Sequence, residues 1–253
     1  MKKHGPSKTS KTKKQDQLYS QPREAIANFV FDENVVNVFE DMIGRSVPGY
    51  ATLLSMLPVL ARAFVTPNSC CYDLGCSLGA ATLAIAQGID EEAVNIIAID
   101  NSTAMVEKCQ ALVAKYSGNI NINAKKSDIC EIDISNASLV VMNFTLQFIA
   151  ENARKKLIKK IYSGLNKGGA FVLAEKIKGK NSVEQNRLTS LHHAFKKANG
   201  YSDLEISQKR SALENVLVAE TIEQHVSRLK QAGFSEVQVW FQCFNFVSIL
   251  AIK

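Results

Sequence analysis

The stretch that decides the fold is Tyr72-Asp-Leu-Gly-Cys-Ser-Leu-Gly79, which is followed by the run Ile96-Ile-Ala-Ile-Asp-Asn101. The first stretch predicts a short apolar strand with an acid near its end, Asp73, and a glycine-containing turn into a helix over 80–87. The run predicts a second strand that ends in another acid, Asp100. In a βαβ unit, this acid lies about 20 residues after the glycine loop, where a carboxylate accepts hydrogen bonds from ribose hydroxyls. The pairing predicts a site for a ligand that contains a nucleoside.

The spacing inside the loop argues against a dinucleotide. The pyrophosphate fingerprint is G-x-G-x-x-G, whereas here Cys76, Ser77 and Leu78 separate Gly75 from Gly79. Ser77 takes the place of the middle glycine, so the loop fits the D-x-G-x-(G/S)-x-G pattern of enzymes that bind S-adenosylmethionine (SAM). The alternative is that the two glycines only make a tight turn, and an acid at the expected distance argues against it.

The composition is typical of one folded domain. The chain has 253 residues, of which 46% are hydrophobic, which is enough to bury a core. No apolar run reaches the roughly 18 residues that a membrane span requires, and the N-terminus lacks the apolar region of a signal peptide. Six cysteines are scattered without C-x-x-C pairs, which indicates reduced thiols and no zinc site. We therefore expect a cytoplasmic protein without a metal.

The positive charge is concentrated in a basic tail. Residues 1–16 hold six lysines and one acid, Asp16, so they carry +5 of the formal net charge of +6. We expect 1–20 to be a disordered basic tail and 21–253 to form a single SAM-binding α/β domain. Because the domain itself is nearly neutral, direct nucleic acid binding is not expected. The tail can either contact RNA or remain solvated.

Apolar spacing predicts N-terminal helices, then alternating strands and helices. The N-terminal helices are expected over about 29–64, with a turn at Pro48-Gly49, and a helical insert is expected over about 180–232. The predicted strands are 70–74, 95–100, 120–125, 139–143, 170–175, 237–241 and 246–252, and the helices between them are 80–87, 102–116 and 152–165. The alternation predicts the Rossmann-like class I SAM-dependent methyltransferase fold, an α/β architecture with a mostly parallel seven-stranded sheet and a C-terminal antiparallel hairpin.

Six stretches of the sequence carry a resemblance to a known family. They are Arg45-Ser-Val-Pro-Gly-Tyr50, Tyr72-Asp-Leu-Gly-Cys-Ser-Leu-Gly-Ala-Ala-Thr82, Asn143-Phe-Thr-Leu-Gln-Phe148, Ala198-Asn-Gly-Tyr201, Leu204-Glu-Ile-Ser-Gln-Lys-Arg210 and Trp240-Phe-Gln-Cys-Phe-Asn-Phe246. Together they closely resemble the carboxy-S-adenosyl-L-methionine synthase family, from about residue 29 to residue 253. The glycine loop is common to all SAM enzymes, and the last two stretches are far more specific. One departure is Lys167, where the family usually has proline, at a turn position that should tolerate either.

The resemblance implies a reaction and its partners. Enzymes of the family convert SAM, as a substrate, and prephenate to carboxy-SAM and phenylpyruvate with release of water. A partner enzyme, a tRNA carboxymethyltransferase, uses the product on the wobble uridine of certain tRNAs, and a homodimer is also implied. Fragmentation of prephenate releases carbon dioxide and a hydroxide equivalent; the hydroxide takes a proton from the SAM methyl group, and the resulting ylide attacks the carbon dioxide. The protein mainly positions the substrates and neutralises charge, so no catalytic triad is expected.

The resemblance also implies the site residues. The SAM-binding positions are Tyr50, Gly75, Cys76, Ser77, Asp100, Asn101, Asp128, Ile129, Asn143 and Arg210. Asp100 would accept from the ribose, Asp128 from the adenine amino group, and Ile129 would pack on the adenine ring. Cys76 is expected to contribute its backbone and not to act as a nucleophile, since nothing in the sequence near it would lower its pKa. For Tyr50, a place in the core is the alternative.

Arg210 is the predicted catalytic residue. A guanidinium can bond both oxygens of a carboxylate, and the resemblance places Arg210 on the new carboxylate, from its own subunit or across a dimer interface. A surface ion pair is the alternative. His192 and His193 are expected on different faces of one helix. Lys196 and Lys197 are expected on a solvated helix face, although either can meet a prephenate carboxylate.

Two other functions stay open from the sequence. A conventional SAM-dependent methyltransferase acting on a small molecule shares the fold and differs only in its acceptor site. The stretch Asn143-Phe144-Thr145 lacks the (D/N)-P-P-(Y/F) pattern of enzymes that methylate amino groups of nucleic acid bases. A non-catalytic SAM-binding partner of a tRNA-modifying enzyme is the third possibility, and a complete carboxylate site would contradict it.

Overall fold

The computed structural model describes residues 15–253, and a seven-stranded sheet lies at its centre. The strands are β1 (Cys70–Leu74), β2 (Asn95–Asp100), β3 (Asn121–Lys126), β4 (Ala137–Asn143), β5 (Leu165–Lys176), β6 (Glu236–Cys243) and β7 (Phe246–Ile252). Their order in the sheet is β3-β2-β1-β4-β5-β7-β6. β1 to β5 pair in parallel, while β7 is antiparallel to both β5 and β6. The predicted mostly parallel sheet with a C-terminal antiparallel hairpin is confirmed.

Helices cover both faces of the sheet. They are α1 (Glu33–Val36), α2 (Phe39–Ser46), α3 (Tyr50–Phe64), α4 (Ala80–Gln87), α5 (Thr103–Val113), α6 (Glu151–Gly164), α7 (Ser182–Ala198), α8 (Asp203–Leu213) and α9 (Ile222–Ala232), with a 3-10 turn at Leu146–Phe148. α1 to α3 lie within the predicted N-terminal helical region, and α7 to α9 within the predicted insert. Gly49 ends the break between α2 and α3 with φ +77°, and a Cβ there would lie 2.4 Å from Cζ of Phe241. Only glycine therefore fits this turn.

The core has one layer on each side of the sheet. In β4, Val140 and Met142 contact the layer that contains α6 and α9, whereas Leu139 and Val141 contact the layer that contains α3 and α4. All residues from Ala137 to Met142 are buried. A central parallel strand is covered on both faces, so it is apolar without alternation.

The strand after α6 begins earlier than predicted. The sequence predicts this strand over 170–175, but β5 starts at Leu165, and Gly168 and Gly169 lie within it. Ala137 pairs with Leu165, while Leu139 pairs with Ala170, so 166–169 form an irregularity in the ladder. Gly168 has φ +76° there, a conformation that glycine adopts without steric strain.

The ordered chain begins before residue 20, the expected end of the basic tail. Asp16 is 2% exposed, and its carboxylate accepts a hydrogen bond of 2.6 Å from the hydroxyl of Tyr201. Its backbone N–H donates to Asp41 at 2.7 Å, and Tyr19 packs in a cluster with Met42. Contacts of this kind are not visible in a composition rich in lysine. The rest of the predicted tail, 1–14, lies outside the described residues.

Within the described part of the chain, no single helix has the length and apolar composition to cross a membrane. α2 and α3 meet the criteria only when taken together, and they are bent by 100° at their junction.

Candidate active site

Nine of the ten predicted SAM-binding residues, all except Arg210, lie at or beside the carboxyl edge of the sheet. β2 and β3 lie on one side of β1, whereas β4 and β5 lie on the other, so the direction in which successive strands are added reverses at β1. Ligands of open α/β sheets bind at such a switch point. Gly75, Cys76 and Ser77 follow β1, Asp100 and Asn101 close β2, Asp128 and Ile129 follow β3, and Asn143 ends β4. Tyr50 begins α3, and its ring centroid lies 6.4 Å from that of Phe144, directly after β4.

The glycine loop is held against β2 by its backbone. The N–H groups of Gly75 and Cys76 both donate to the carbonyl of Ile99, at 2.8 and 2.9 Å. Gly75 has φ +87°, and a Cβ there would lie 2.1 Å from Oγ1 of Thr145. The loop and the residues after β4 are thus in contact, which leaves no room for a side chain between them.

Asp100 is oriented by two backbone donors. Its Oδ2 accepts from the N–H of Ser77 and its Oδ1 from the N–H of Ser102, both at 2.9 Å. Burial raises the pKa of Asp100, and these amide donors oppose that effect. Each carboxylate oxygen accepts more than one hydrogen bond, so both oxygens retain capacity for the two hydroxyls of a ribose.

Two buried acceptors lie at the ends of neighbouring strands. Asp73 Oδ2 accepts from the hydroxyl of Thr82 at 2.6 Å, but Asp73 Oδ1 and Asn143 Oδ1 have no hydrogen-bond partner within the described residues. Asp73 pairs with Val141 in the ladder, two residues before Asn143. An unpaired buried acceptor costs about 1–3 kcal/mol. The residues present therefore fit a ligand that brings hydrogen-bond donors to this point.

The ionisation of the groups around these acceptors is also perturbed. Burial raises the pKa of Asp73 to about 6. Burial, with the charge of Asp73 next, raises the pKa of Tyr50, so its phenol remains protonated and can donate. A hydrogen bond between the side chains of Cys76 and Cys109, together with burial, raises the pKa of Cys76. Its thiol is therefore protonated, in agreement with a structural role in the loop.

The other predicted nucleoside contacts lie along the same edge. Asn101 is exposed and borders a cleft of about 570 Å³ between 29–33 and 101–104. Asp128 is exposed, with Oδ1 accepting from the N–H of Cys130 at 2.7 Å. Ile129 is 5% exposed and belongs to the core cluster beneath β2 and β4. The adenine contacts assigned to Asp128 and Ile129 stay predictions.

Arg210 lies in the last turn of α8. It is exposed and makes no hydrogen bond or ion pair with another residue of the described chain. Its charge lowers the pKa of Lys176, after the larger effect of burial, and it also lowers the pKa of His193. Arg210 therefore borders a cationic region at the end of β5 within its own subunit.

Sequence reasoning missed Glu175, which shapes the loop after Asn143. Glu175 is 1% exposed, and its two carboxylate oxygens accept from the N–H groups of Leu146 and Gln147, at 2.8 and 3.0 Å. Burial raises its pKa to about 8 in spite of these bonds. The available signal was the position of Glu175 near the end of an apolar strand. Strands of a parallel sheet are covered on both faces, so a side chain there is buried.

The expectation that Lys196 lies on a solvated face is wrong. Lys196 is 8% exposed, and only Lys197 extends into solvent, where it pairs with Asp203 at 2.6 Å. His192 and His193 do lie on different faces of α7, since His192 is 6% exposed and His193 is more accessible. A turn of helix that contains a buried histidine, a buried lysine and an exposed lysine has no clear apolar period, so its inner face could not be assigned.

Among residues 15–253, no group of three or more His, Cys, Asp or Glu side chains is placed to hold a metal ion. The six cysteines are free thiols.

Comparison with known proteins identifies the family. A model of the methyltransferase domain matches residues 72–169. Two relatives named carboxy-S-adenosyl-L-methionine synthase, from Vibrio vulnificus and Citrobacter koseri, are 53% and 51% identical over 238 residues, which is 94% of this chain and 97% and 96% of theirs. The chain belongs to this family. The carboxy-SAM synthase family was the one predicted from the sequence stretches, and that prediction is confirmed.

A solved structure supports the fold independently. Phosphoethanolamine N-methyltransferase 2 of Haemonchus contortus, in complex with SAM, aligns with a TM-score of 0.63 and 15% identity over 88% of this chain and 57% of its own. The class I SAM-dependent methyltransferase fold is therefore confirmed. At this identity the likeness concerns the fold alone.

Proposed function

We propose that this protein converts SAM and prephenate to carboxy-SAM and phenylpyruvate. The observation that carries the proposal is the similarity to named carboxy-SAM synthases over nearly the full length of both chains. An alignment over 238 of the 253 residues includes the stretch around Arg210, which lies outside the matched methyltransferase domain. A conventional methyltransferase would need to resemble these synthases only in the half of the chain that binds the cofactor.

The acceptors at the carboxyl edge support SAM as the first substrate. Its methionine portion carries an ammonium group, which has three donors, and Asp73 Oδ1 and Asn143 Oδ1 are buried acceptors with no partner in the described chain. Asp100 keeps acceptor capacity for the ribose hydroxyls. Gly75 and Ser77 expose backbone between these two points.

The proposed reaction balances without an external base. In prephenate, the bond between the ring and its carboxyl group breaks and the ring hydroxyl leaves, which gives phenylpyruvate, carbon dioxide and hydroxide. The hydroxide takes one proton from the SAM methyl group to form water, and a new bond joins the methyl carbon to carbon dioxide. The protein excludes competing water and holds the charges in place, which are the contributions of positioning and electrostatics.

Arg210 binds the new carboxylate in this proposal, from its own subunit or from the partner in a homodimer. We expect Arg210→Lys to lose most carboxy-SAM formation and to retain some SAM binding, because an ammonium cannot replace the two parallel bonds of a guanidinium. Arg187→Lys is the matched control, since Arg187 is an exposed arginine on the neighbouring helix α7. Unchanged turnover in Arg210→Lys would remove Arg210 from the site.

The test of the function is a single incubation of the purified protein with SAM and prephenate, followed by mass spectrometry of the nucleoside product. A SAM adduct heavier by one carbon dioxide, formed only with prephenate and lost in Arg210→Ala, supports the synthase. If SAM stays unmodified, the synthase function is refuted, and a conventional methyltransferase or a non-catalytic SAM-binding partner is the function to test next. Carbon dioxide from labelled bicarbonate entering the product at full efficiency contradicts fragmentation in a sealed site.

The wider setting follows from the family. Carboxy-SAM is supplied to a tRNA carboxymethyltransferase that modifies a wobble uridine, and the protein acts as a cytoplasmic homodimer without binding tRNA itself. Size-exclusion chromatography with light scattering checks the dimer, and a filter-binding assay with tRNA checks the last point.

A further inference from the structure

Lys176, at the end of β5, and Lys196, in α7, both lack an anionic partner among the described residues. Lys196 is 8% exposed, and Lys176, the last residue of β5, is half-buried. Neither ammonium group makes an ion pair or a hydrogen bond with a residue of the described chain. A buried cation without a partner costs several kcal/mol, so these two positions require an explanation.

The two lysines lie near each other, since the charge of Lys176 acts on Lys196, and both are close to Phe246. Lys176 pairs with Phe246 in the ladder between β5 and β7, and the ring of His192 lies 5.0 Å from that of Phe246. His192 precedes Lys196 by one helical turn, and its Nε2 is 2.8 Å from the carbonyl oxygen of Ser46.

Aromatic rings connect this wall to Tyr50. The ring centroid of Phe246 is 5.9 Å from that of Phe144, and the Phe144 centroid is 6.4 Å from that of Tyr50. Phe144 directly follows Asn143. A row of ring contacts thus leads from the surroundings of the lysines to Tyr50 and Asn143, two of the predicted SAM-binding residues.

The charges around the lysines are almost all positive. Burial lowers the pKa of Lys196 to about 7, and the charges of Lys209 and Lys176 add to that effect. Burial also lowers the pKa of His192, to about 3, so this ring is neutral. Asp16 lies 3.6 Å from Nζ of Lys209, not of Lys196, and already accepts from Tyr201. It neutralises Lys209 and leaves Lys176 and Lys196 uncompensated.

We propose that Lys176 and Lys196 bind the 2-oxo-acid carboxylate of prephenate, the one that is retained in phenylpyruvate. This assignment rests on the proposed function. Prephenate has two carboxylates, and the one on the ring leaves as carbon dioxide. Cations bound tightly to the departing carboxylate would stabilise the ground state more than the transition state, because negative charge moves away from it as the bond breaks. Buried cations therefore suit the carboxylate that does not react.

The experiment measures binding without turnover. Phenylpyruvate is titrated calorimetrically into wild-type protein loaded with S-adenosylhomocysteine, and then into Lys196→Met, Lys176→Met and the control Lys197→Met. Loss of one hydrogen bond to a charged group corresponds to about a 10- to 100-fold weaker affinity. We expect this weakening for Lys196→Met and Lys176→Met and none for Lys197→Met, with S-adenosylhomocysteine affinity unchanged in all three.

Two results would overturn the assignment. In one, phenylpyruvate binds Lys196→Met as tightly as wild type. In the other, the variant loses S-adenosylhomocysteine and phenylpyruvate affinity to the same degree, which indicates a structural role. A parallel turnover assay separates this proposal from the function. Wild-type protein that makes no carboxy-SAM but binds phenylpyruvate through Lys196 refutes the function and supports the subsite, whereas carboxy-SAM formation with an unchanged prephenate KM in Lys196→Met refutes the subsite alone.

Discussion

Replacing Lys196 by methionine should make the protein more stable, and the gain should depend on pH. In the unfolded chain a lysine has its ordinary pKa of 10.5, whereas in the folded protein the pKa of Lys196 is about 7. Between these two values the unfolded state binds one more proton than the folded state. The stability of the wild type therefore rises with pH over this window.

The size of the effect follows from this difference. At pH 7 the folded lysine is about half protonated, and at pH 9 it is neutral, while the unfolded lysine is protonated at both. Integrating the proton difference between these limits gives about 2 kcal/mol of additional wild-type stability at pH 9, at about 1.4 kcal/mol for each pH unit. Methionine has no such term, so the advantage of Lys196→Met should be largest at pH 7 and shrink by about 2 kcal/mol at pH 9. Lys176 and Lys209 act in the same direction, since burial lowers the pKa of each and removing Lys196 relieves their repulsion.

Urea unfolding at the two pH values measures this directly, through the free energy of unfolding in water. Lys197→Met is the control, because Lys197 is about half exposed and pairs only with an exposed acid. Its effect should stay within about 0.5 kcal/mol at both pH values. A Lys196→Met variant that is less stable than wild type at pH 7, or whose advantage does not change with pH, would refute the argument that Lys196 is a strained, uncompensated cation.

Two further predictions concern the SAM site. Gly75→Ala should unfold more easily than Gly168→Ala. Both positions have positive φ, which costs about 1–2 kcal/mol for alanine. Only at Gly75 would the new Cβ also meet Thr145, at 2.1 Å, since nothing lies within 4 Å of a Cβ at Gly168. Calorimetric SAM titration should show lost affinity for Gly75→Ala, a partial return with Thr145→Ala added, and wild-type affinity for Gly168→Ala; equal effects at both glycines would contradict the close approach. Asp73→Asn should weaken SAM binding about 10- to 100-fold, because a bond between a carboxylate and an ammonium is lost. Wild-type SAM affinity should also fall below about pH 6, where Asp73 becomes protonated, and a flat profile from about pH 5 to pH 8 in the wild type would refute the role of Asp73.

Local sequence patterns were sufficient to predict most of the fold and the part of the site that follows β1 and β2. Glycines at fixed spacing, short apolar runs and an acid in register predict the βαβ unit, because each depends on residues close together in the chain. The boundaries of β1, α4, β2 and β7 were predicted as observed. The start of β5 differs from the prediction. Gly168-Gly169 predicts a turn locally, but residues before and after these glycines pair with β4, so the glycines form an irregularity within the strand.

The sequence by itself determined that the chain makes a parallel α/β sheet with a nucleoside site after β1 and β2, and that it resembles the carboxy-SAM synthases. Only the tertiary structure decided which charged residues are buried. Lys196 and Lys197 are adjacent lysines, yet Lys196 is buried and Lys197 pairs in solvent with Asp203. Asp16 looks like part of a basic tail, but it is enclosed beside Tyr201 and Lys209. Burial depends on contacts between residues far apart in the chain, and it is burial that turns an ordinary lysine into a binding group for a carboxylate.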